Sequence, residues 1–244
     1  MIEPIEFKPY VGETVNTVLR IKNGKRTQET EWFPDKVKAV PRGNAYCIGN
    51  GPSRKGFDLN KLKATGQTYG CNALYRDFKP DYVIPDYLVA IDPVMIQEIK
   101  DSDFPSERFI EPPFHEQFEP AECNPARSRS NAGMNAMLEA IKMGFKTLYM
   151  FGFDFVLKDQ YYSTSNLYDG THGYGPETRA SYNDNINRCL YMTYIAQKNL
   201  NINFKFVLPR SQKEIHTINS NNVTGMYYEK FDPEMKVVQE NIAS

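Results

Sequence analysis

The chain has 244 residues, of which 41% are hydrophobic and 24% charged, and its formal net charge is −1. This length supports one sizeable core, and the composition is that of a globular rather than a disordered protein. The balanced charge excludes a protein whose overall basicity attracts nucleic acid or an acidic membrane surface. Because no run of about 18 apolar residues occurs, the sequence predicts no membrane span.

The four cysteines lie far apart and lack the paired spacing of a metal site. Cys47 and Cys71 fall in apolar, strand-like runs, where we expect buried free thiols rather than disulfides. The first seven residues lack the basic start and the apolar centre of a signal peptide. We therefore expect a cytoplasmic protein, with peripheral attachment to a membrane as the alternative.

Both ends of the chain differ in pattern from its middle. Residues 1–44 are polar and turn-rich, and Asn23-Gly24 between the segments 17–19 and 27–33 predicts a β-hairpin. We interpret residues 1–44 as an N-terminal extension that caps one edge of a sheet. Residues 209–244 show no strong periodicity and are interpreted as a C-terminal tail.

Residues 45–208 alternate between short apolar strands and amphipathic helices, which is typical of an α/β fold. We predict a Rossmann-like, mostly parallel sheet with helices on both faces. The segment 156–180 is polar, aromatic and glycine-rich and too long for an ordinary connection, so it is a candidate lid. Strands are expected at 46–48, 68–71, 88–91, 108–110, 146–151 and finally 203–208, and helices at 58–62, 94–100, 131–143 and 182–198.

A glycine-rich loop follows the first predicted strand. Gly49, Asn50 and Gly51 add little side-chain bulk, so backbone N–H groups can approach an anion closely. Pro52 suits the start of a helix, and the hydroxyl of Ser53 follows it. This order predicts a phosphate-binding loop, although it has neither the dinucleotide nor the Walker spacing. The alternative is an ordinary tight exit from a strand.

Polar residues follow four of the predicted strands: Asn50, Asn72, Asp92 and Asp154. Each residue type is also a common turn former. Ligands of open α/β sheets bind outside the carboxyl ends of the strands. Four polar residues at equivalent places therefore predict a lined crevice.

His172 lies among glycines in the candidate lid, and the ordinary pKa of histidine suits a general base or acid. Arg127 and Arg129 precede the helix predicted at 131–143 and could bind an anionic group. The alternatives are a surface histidine and exposed loop charges. The three histidines lack the spacing of a zinc site, so we predict no bound metal.

Four motifs, taken in order, resemble those of the bacterial sialyltransferases of glycosyltransferase family 42. They resemble equally the related uncharacterised proteins grouped with the archaeal-type hydroxymethylpterin diphosphokinases. The resemblance covers about residues 45–207 and implies a nucleotide-binding, Rossmann-like catalytic domain without an essential metal or cofactor. It implies sugar transfer from CMP-sialic acid to a glycan acceptor. The motifs are residues 48–53, residues 70–75, Arg129 with the helix from 133 to 144, and residues 148–155.

The resemblance also implies individual roles. Asn50 and Asn72 match residues that contact the nucleotide and phosphate of the donor, and Gly152 matches one that lies against cytidine. Arg129 matches a basic residue on the acceptor side. Tyr162 matches one of two tyrosines that hold the departing phosphate.

By the same resemblance His172 is the general base, but two positions depart from the family. Val156 replaces the second phosphate tyrosine, so that hydroxyl is missing unless Tyr161 or Tyr168 supplies it. Asp92 replaces an asparagine, which puts a negative charge where an anionic donor lies. A different nucleotide-sugar, or a nucleotide donor with another acceptor, fits as well.

We therefore expect a metal-independent, inverting glycosyltransferase that moves a sugar from a nucleotide-sugar to a glycan or other hydroxyl acceptor. A nucleic-acid acceptor and a homo-oligomer stay open. The first alternative is a diphosphokinase-like, ATP-dependent transferase in which Asp92 and Asp154 bind Mg²⁺. The second is a nucleotide-binding module without catalysis.

Overall fold

A computed structural model describes residues 13–22, 25–34, 44–157, 165–209 and 218–231, the first two ranges by their backbone alone. The chain divides into two compact units, residues 1–41 and 42–244. In the first unit, β1 (Glu13–Lys22) pairs antiparallel with β2 (Lys25–Pro34). This pairing confirms the predicted hairpin strands.

The second unit contains a seven-stranded sheet in which all neighbouring strands are parallel. Its order is β6-β5-β4-β3-β7-β8-β9, so the chain first builds outward from β3 on one side and then on the other. This topology confirms the predicted α/β, Rossmann-like class. The strands are β3 (Asn44–Ile48), β4 (Gly66–Cys71), β5 (Tyr87–Val89), β6 (Phe109–Ile110), β7 (Thr147–Phe151), β8 (Asn203–Leu208) and β9 (Val223–Tyr227).

Strand β9 corrects the prediction that 203–208 is the last strand and that no regular structure follows it. Its backbone pairs with β8, with Phe206 opposite Gly225. The strand is half-buried or exposed along its length and has a glycine at its centre. It therefore lacks the apolar run or alternation from which a strand is recognised in a sequence.

Three α-helices occur among the described residues: α1 (Pro93–Lys100), α2 (Ala132–Lys142) and α3 (Tyr182–Lys198). They confirm the helices predicted near 94–100, 131–143 and 182–198. The side chain of Asn131 accepts a hydrogen bond from the amide of Met134 at 2.8 Å and thereby caps α2. Ser181 and Asp184 form a capping box at the start of α3. None of these helices is long and apolar enough to cross a membrane.

The sheet has one hydrophobic core on each face. Alternate residues of β3 supply the two cores, because successive side chains of a strand point to opposite faces. Ala45 and Cys47 pack with α2 and α3, whereas Tyr46 and Ile48 pack with α1 and the short helical turns. Every residue of β3 is buried, which explains its continuous apolar run. Cys47 is a free thiol, as predicted.

Candidate functional site

The carboxyl ends of β3 and β7 lie side by side where the strand order reverses, which is where ligands bind in doubly wound sheets. The loops that follow them pack backbone against backbone. The Gly49 amide donates to the Phe151 carbonyl at 2.8 Å, and the Gly51 amide donates to the Gly152 carbonyl at 3.0 Å. A Cβ atom on Gly49 would lie 2.5 Å from the Gly152 oxygen. The glycines are therefore needed for this close approach.

Three backbone amides of the first loop, those of Gly49, Gly51 and Ser53, already donate to acceptors within the protein. The backbone N–H of Ser53 donates to the Asp154 carboxylate at 2.9 Å, and the Ser53 hydroxyl also donates to it. Asp154 is buried, and this burial raises the pKa of its carboxyl although Ser53 and Arg54 oppose the change. These hydrogen bonds do not support the prediction that the loop grips a phosphate through its amides. The alternative, a tight strand exit, matches the hydrogen bonds.

Arg54 also turns inward. Its Nε donates to the Gly49 carbonyl at 2.8 Å, and its Nη2 donates to the Tyr168 hydroxyl at 3.0 Å. The side chain is only 6% exposed. Arg54 therefore stabilises the loop through its hydrogen bond to Gly49 and does not present its charge to a ligand.

A cavity of about 530 Å³ lies above these loops, within the range of roughly 300–1,000 Å³ that is typical of ligand pockets. It brings together most of the predicted site residues, although Ser53 is not part of its wall. The predicted residues that line it are Gly49, Asn50, Gly51, Asn72, Asp92, Arg129, Gly152 and Asp154.

Residues 165–180 cover one side of the cavity. The Leu167 amide donates to the Asn50 carbonyl at 2.9 Å. The buried Tyr174 hydroxyl accepts from Asn50 Nδ2 at 3.3 Å and lines the cavity. The predicted lid boundary at 156 is wrong, because Val156 and Leu157 are fully buried core residues.

Of the tyrosines predicted to hold a phosphate, the structure describes only Tyr168, which does not line the cavity. The Tyr168 hydroxyl donates to Asp77 at 2.6 Å and is absent from the cavity wall. Val156, at the other position, is buried in the core. Tyr161 and Tyr162 lie outside the described residues.

His172 lies outside the cavity, and its predicted position facing the glycine loop is therefore wrong. Its side chain is 69% exposed, and Nδ1 lies 2.6 Å from Glu98 Oε2 on α1. Arg76 binds the same carboxylate and also donates to the His172 carbonyl and the Thr171 hydroxyl, both at 2.9 Å. These contacts attach the segment 165–180 to α1. The sequence around His172 did not indicate that this residue has such a role.

The opposite wall of the cavity carries two positively charged side chains, those of Arg129 and Arg188. Arg129 donates to Gln117 Oε1 and to the Ile91 carbonyl, and Arg188 donates to Asn185 Oδ1 at 3.3 Å. Neither guanidinium forms an ion pair among the described residues, and both line the cavity.

Arg188 is held in a desolvated position. Burial lowers the pKa of Arg188, and the negative charges of Asp184, Glu119 and Asp92 offset this effect only in part. A half-buried cation without an ion-pair partner in the described ranges is costly for a folded protein. Its presence on a cavity wall is therefore typical of an anion site.

The N-terminus of α2 lies on the same wall. Ala132 and Gly133 line the cavity, and the amides of the first helical turn have no intrahelical acceptor. The hydroxyl of Ser130, a residue only 5% exposed, has no hydrogen-bond partner within the described part of the chain. Helix N-termini favour anions, so this wall combines amides, a free hydroxyl and two guanidinium groups.

Sequence reasoning missed Arg188, although a signal was present. Tyr191, Met192 and Ile195 form the buried stripe of α3, and Arg188 lies three, four and seven residues before them. It therefore extends the buried face by one turn towards the start of the helix. A cation at such a position indicates a polar cavity at the end of the core.

Two polar residues occupy the floor between the walls. Asn72 has a φ of 48°, and its Nδ2 donates to Asp92 Oδ2 at 3.0 Å. Asn72 Oδ1 has no partner among the described residues, so it remains available to a ligand donor. Asp92 is exposed and follows β5 at the end of the sheet that faces the cavity.

Within the described ranges, no group of three or more His, Cys, Asp or Glu side chains could hold a metal ion. Comparisons of the chain with protein-family models, with curated proteins and with solved structures found no match. The function is therefore argued from the site alone.

Proposed function

We propose that this protein is a glycosyltransferase that binds a nucleotide-sugar in the cavity and transfers the sugar to a hydroxyl acceptor. The observation that carries the proposal is the unpaired positive charge of Arg129 and Arg188 beside the N-terminus of α2. A ligand with a phosphate would satisfy these donors together. Such an anion would offset the desolvation cost of the half-buried Arg188, which nearby carboxylates offset only in part.

The position of the cavity supports a nucleotide as the carrier of that phosphate. Doubly wound sheets bind nucleotides at the switch point, here between β3 and β7. This step is an analogy of fold. Asn72 lines the cavity, and its Oδ1, which has no partner among the described residues, is an acceptor of the kind that binds a base or ribose.

The chemistry that the site supports is departure of a phosphate-linked leaving group. As the sugar separates, negative charge grows on the phosphate, and preorganised cationic donors stabilise that charge. Arg129 suits this role because its hydrogen bonds to Gln117 and to the Ile91 carbonyl fix the position of its guanidinium. The segment 165–180 limits access of water, which would otherwise hydrolyse the donor.

A second candidate function is a nucleotide-binding module without turnover. The position of His172 favours it, because the imidazole binds Glu98 and is absent from the cavity wall. The Mg²⁺-dependent diphosphokinase alternative is less well supported, since it requires both Asp92 and Asp154. Asp154 is buried and already accepts two hydrogen bonds from Ser53.

The test is a panel of CMP, UDP, GDP and ATP and their sugar conjugates, each with and without Mg²⁺. We expect at least one nucleotide to raise the melting temperature and its sugar conjugate to release free nucleotide without Mg²⁺. Binding without release would favour the module, and turnover that needs ATP and Mg²⁺ would favour the diphosphokinase. No thermal shift with any nucleotide would overturn the proposal.

A further inference from the structure

We propose that Asp92, and not His172, is the general base that activates the acceptor hydroxyl. This inference rests on the proposed glycosyltransferase function. It follows from the carboxylates that line the cavity and from what each of them already binds.

Three acidic residues line the described cavity: Asp92, Asp154 and Asp169. Asp154 accepts from the amide and hydroxyl of Ser53 and is buried. Asp169 lies 3.5 Å from Nε of Arg179 in an ion pair. Asp92 forms no ion pair within the described ranges, and its one side-chain hydrogen bond there is accepted from Asn72. Of the three, Asp92 therefore has the carboxylate that is least occupied by other groups of the chain.

The position of Asp92 fits a catalytic base. It is the N-cap residue of α1, yet its side chain makes no capping bond. The carboxylate is therefore available to the cavity instead of the helix. Asn72 holds one oxygen at 3.0 Å, which orients the group and leaves the second oxygen for a ligand.

Asp92 also adjoins the positively charged wall. The carbonyl of Ile91, the preceding residue, accepts a hydrogen bond from Arg129. The negative charge of Asp92 also acts on the guanidinium of Arg188. Asp92 thus lies in the same cavity as the two cations that would hold the leaving phosphate.

The step balances without another reactant. The Asp92 carboxylate takes the proton of the acceptor hydroxyl while that oxygen forms a bond to the anomeric carbon. The bond from this carbon to the phosphate oxygen breaks, and its electron pair leaves with the nucleotide held by Arg129 and Arg188. The Asp92 carboxylic acid then gives its proton to water. Attack opposite the leaving group inverts the anomeric centre.

The test compares Asp92→Asn with His172→Ala. Asparagine keeps the shape and the oxygen that accepts from Asn72, so the variant should fold and bind nucleotide. Asp101→Asn at the other end of α1 is the matched control, because Asp101 is exposed and outside the cavity. Nucleotide release is measured with the CMP-, UDP- and GDP-sugars of the panel, with lactose and N-acetyllactosamine as acceptor probes.

We expect Asp92→Asn to lower kcat about 100-fold or more, the usual range of general-base catalysis, with the donor KM within threefold. The acidic limb of the kcat–pH profile should disappear in this variant. His172→Ala should lose less than tenfold, and Asp101→Asn should match the unmodified protein.

Two results would overturn the inference alone while the transferase stands. One is an Asp92→Asn rate within tenfold of the unmodified protein, and the other is a 100-fold loss in His172→Ala. If the unmodified protein binds nucleotide but releases none from any donor, the transferase proposal and this inference both fail.

Discussion

The two walls of the cavity differ in what their hydrogen-bond donors already bind. On the loop wall, the amides of Gly49, Gly51 and Ser53 donate to the chain itself, the last of them to Asp154. On the helix wall, Arg129 and Arg188 lack ion-pair partners in the described ranges. The glycine-rich loop thus has the composition of an anion site, whereas the helix wall has cations without ion-pair partners in the described ranges.

This comparison teaches that free donors, rather than glycine content, locate an anion site. Glycines allow close approach of any backbone, and here the approaching backbone is that of Gly152.

Gly51→Ala should destabilise the loop wall most. A Cβ atom at Gly51 would lie under 3.0 Å from the carboxyl atoms of Asp154, which Ser53 holds in place. We expect a loss of about 3 kcal/mol in the free energy of unfolding, measured by urea denaturation. Gly133→Ala is the control on the helix wall, where the nearest atom would lie 3.3 Å away. Equal stability of the two variants would contradict the packing described for the loops.

Arg188→Met should weaken ligand binding without weakening the fold. Removal of the charge should lower nucleotide affinity about 30-fold, or about 2 kcal/mol. The unfolding free energy of the unliganded protein should change little, because the lost attraction to Asp184, Glu119 and Asp92 is balanced by removal of a desolvated cation. Calorimetry and urea denaturation measure the two effects.

Arg179→Met is the control for that experiment. Arg179 also lines the cavity, but it is exposed and paired with Asp169, so its removal should change affinity less than threefold. Unchanged affinity in Arg188→Met would remove the helix wall as the anion site.

Glu98→Gln should loosen the segment that covers the cavity. Burial alone would raise the pKa of Glu98, but hydrogen bonds from Arg76, Tyr75 and His172 outweigh it and lower this pKa to about 2. A carboxyl whose pKa is lowered in the folded state stabilises the fold above its ordinary value of 4.5. That stabilisation is lost as the pH falls from about 4.5 to about 2.

The difference in unfolding free energy between unmodified protein and Glu98→Gln should therefore be about 1–2 kcal/mol at pH 6 and shrink towards pH 2. Hydrogen exchange of residues 166–180 should also increase in the variant at pH 6. Glu177→Gln, an exposed change in the same segment, is the control. A pH-independent difference would show that Glu98 does not fasten the segment.

Asn131→Ala should have a small effect on stability and a specific one on binding. Loss of the cap should cost about 1 kcal/mol, and so should loss of the Ser181 cap at α3 in Ser181→Ala. Nucleotide affinity, measured by calorimetry, should fall a few-fold in Asn131→Ala alone, because α2 points its N-terminus at the cavity. Equal weakening by both variants would mean that general destabilisation is responsible.

Much of the fold follows from local sequence. The apolar run of β3 and the spacing of α2 predict these elements, because burial on both faces of a strand or on one face of a helix leaves a periodic pattern. The joint position of Asn50, Asn72 and Asp154 also follows, since the carboxyl ends of parallel strands share an edge.

The rest depends on partners distant in the sequence. Ser53 and Asp154 are separated by 101 residues, and His172 and Glu98 by 74. Local chemistry states that the first loop can donate to an anion and that a histidine can accept a proton. It does not show that the carboxylate of Asp154 already accepts from the loop or that the carboxylate of Glu98 already binds His172.

The most direct test of the central claim is an NMR titration of protein labelled with ¹⁵N-glycine, which yields 15 glycine amides to follow. The titrant is the nucleotide that gives the largest thermal shift. We predict a large shift of the Gly133 amide at the start of α2 and little change at Gly51, whose amide remains bound to Gly152. A large shift at Gly51 with none at Gly133 would contradict the claim and place the anion on the glycine loop.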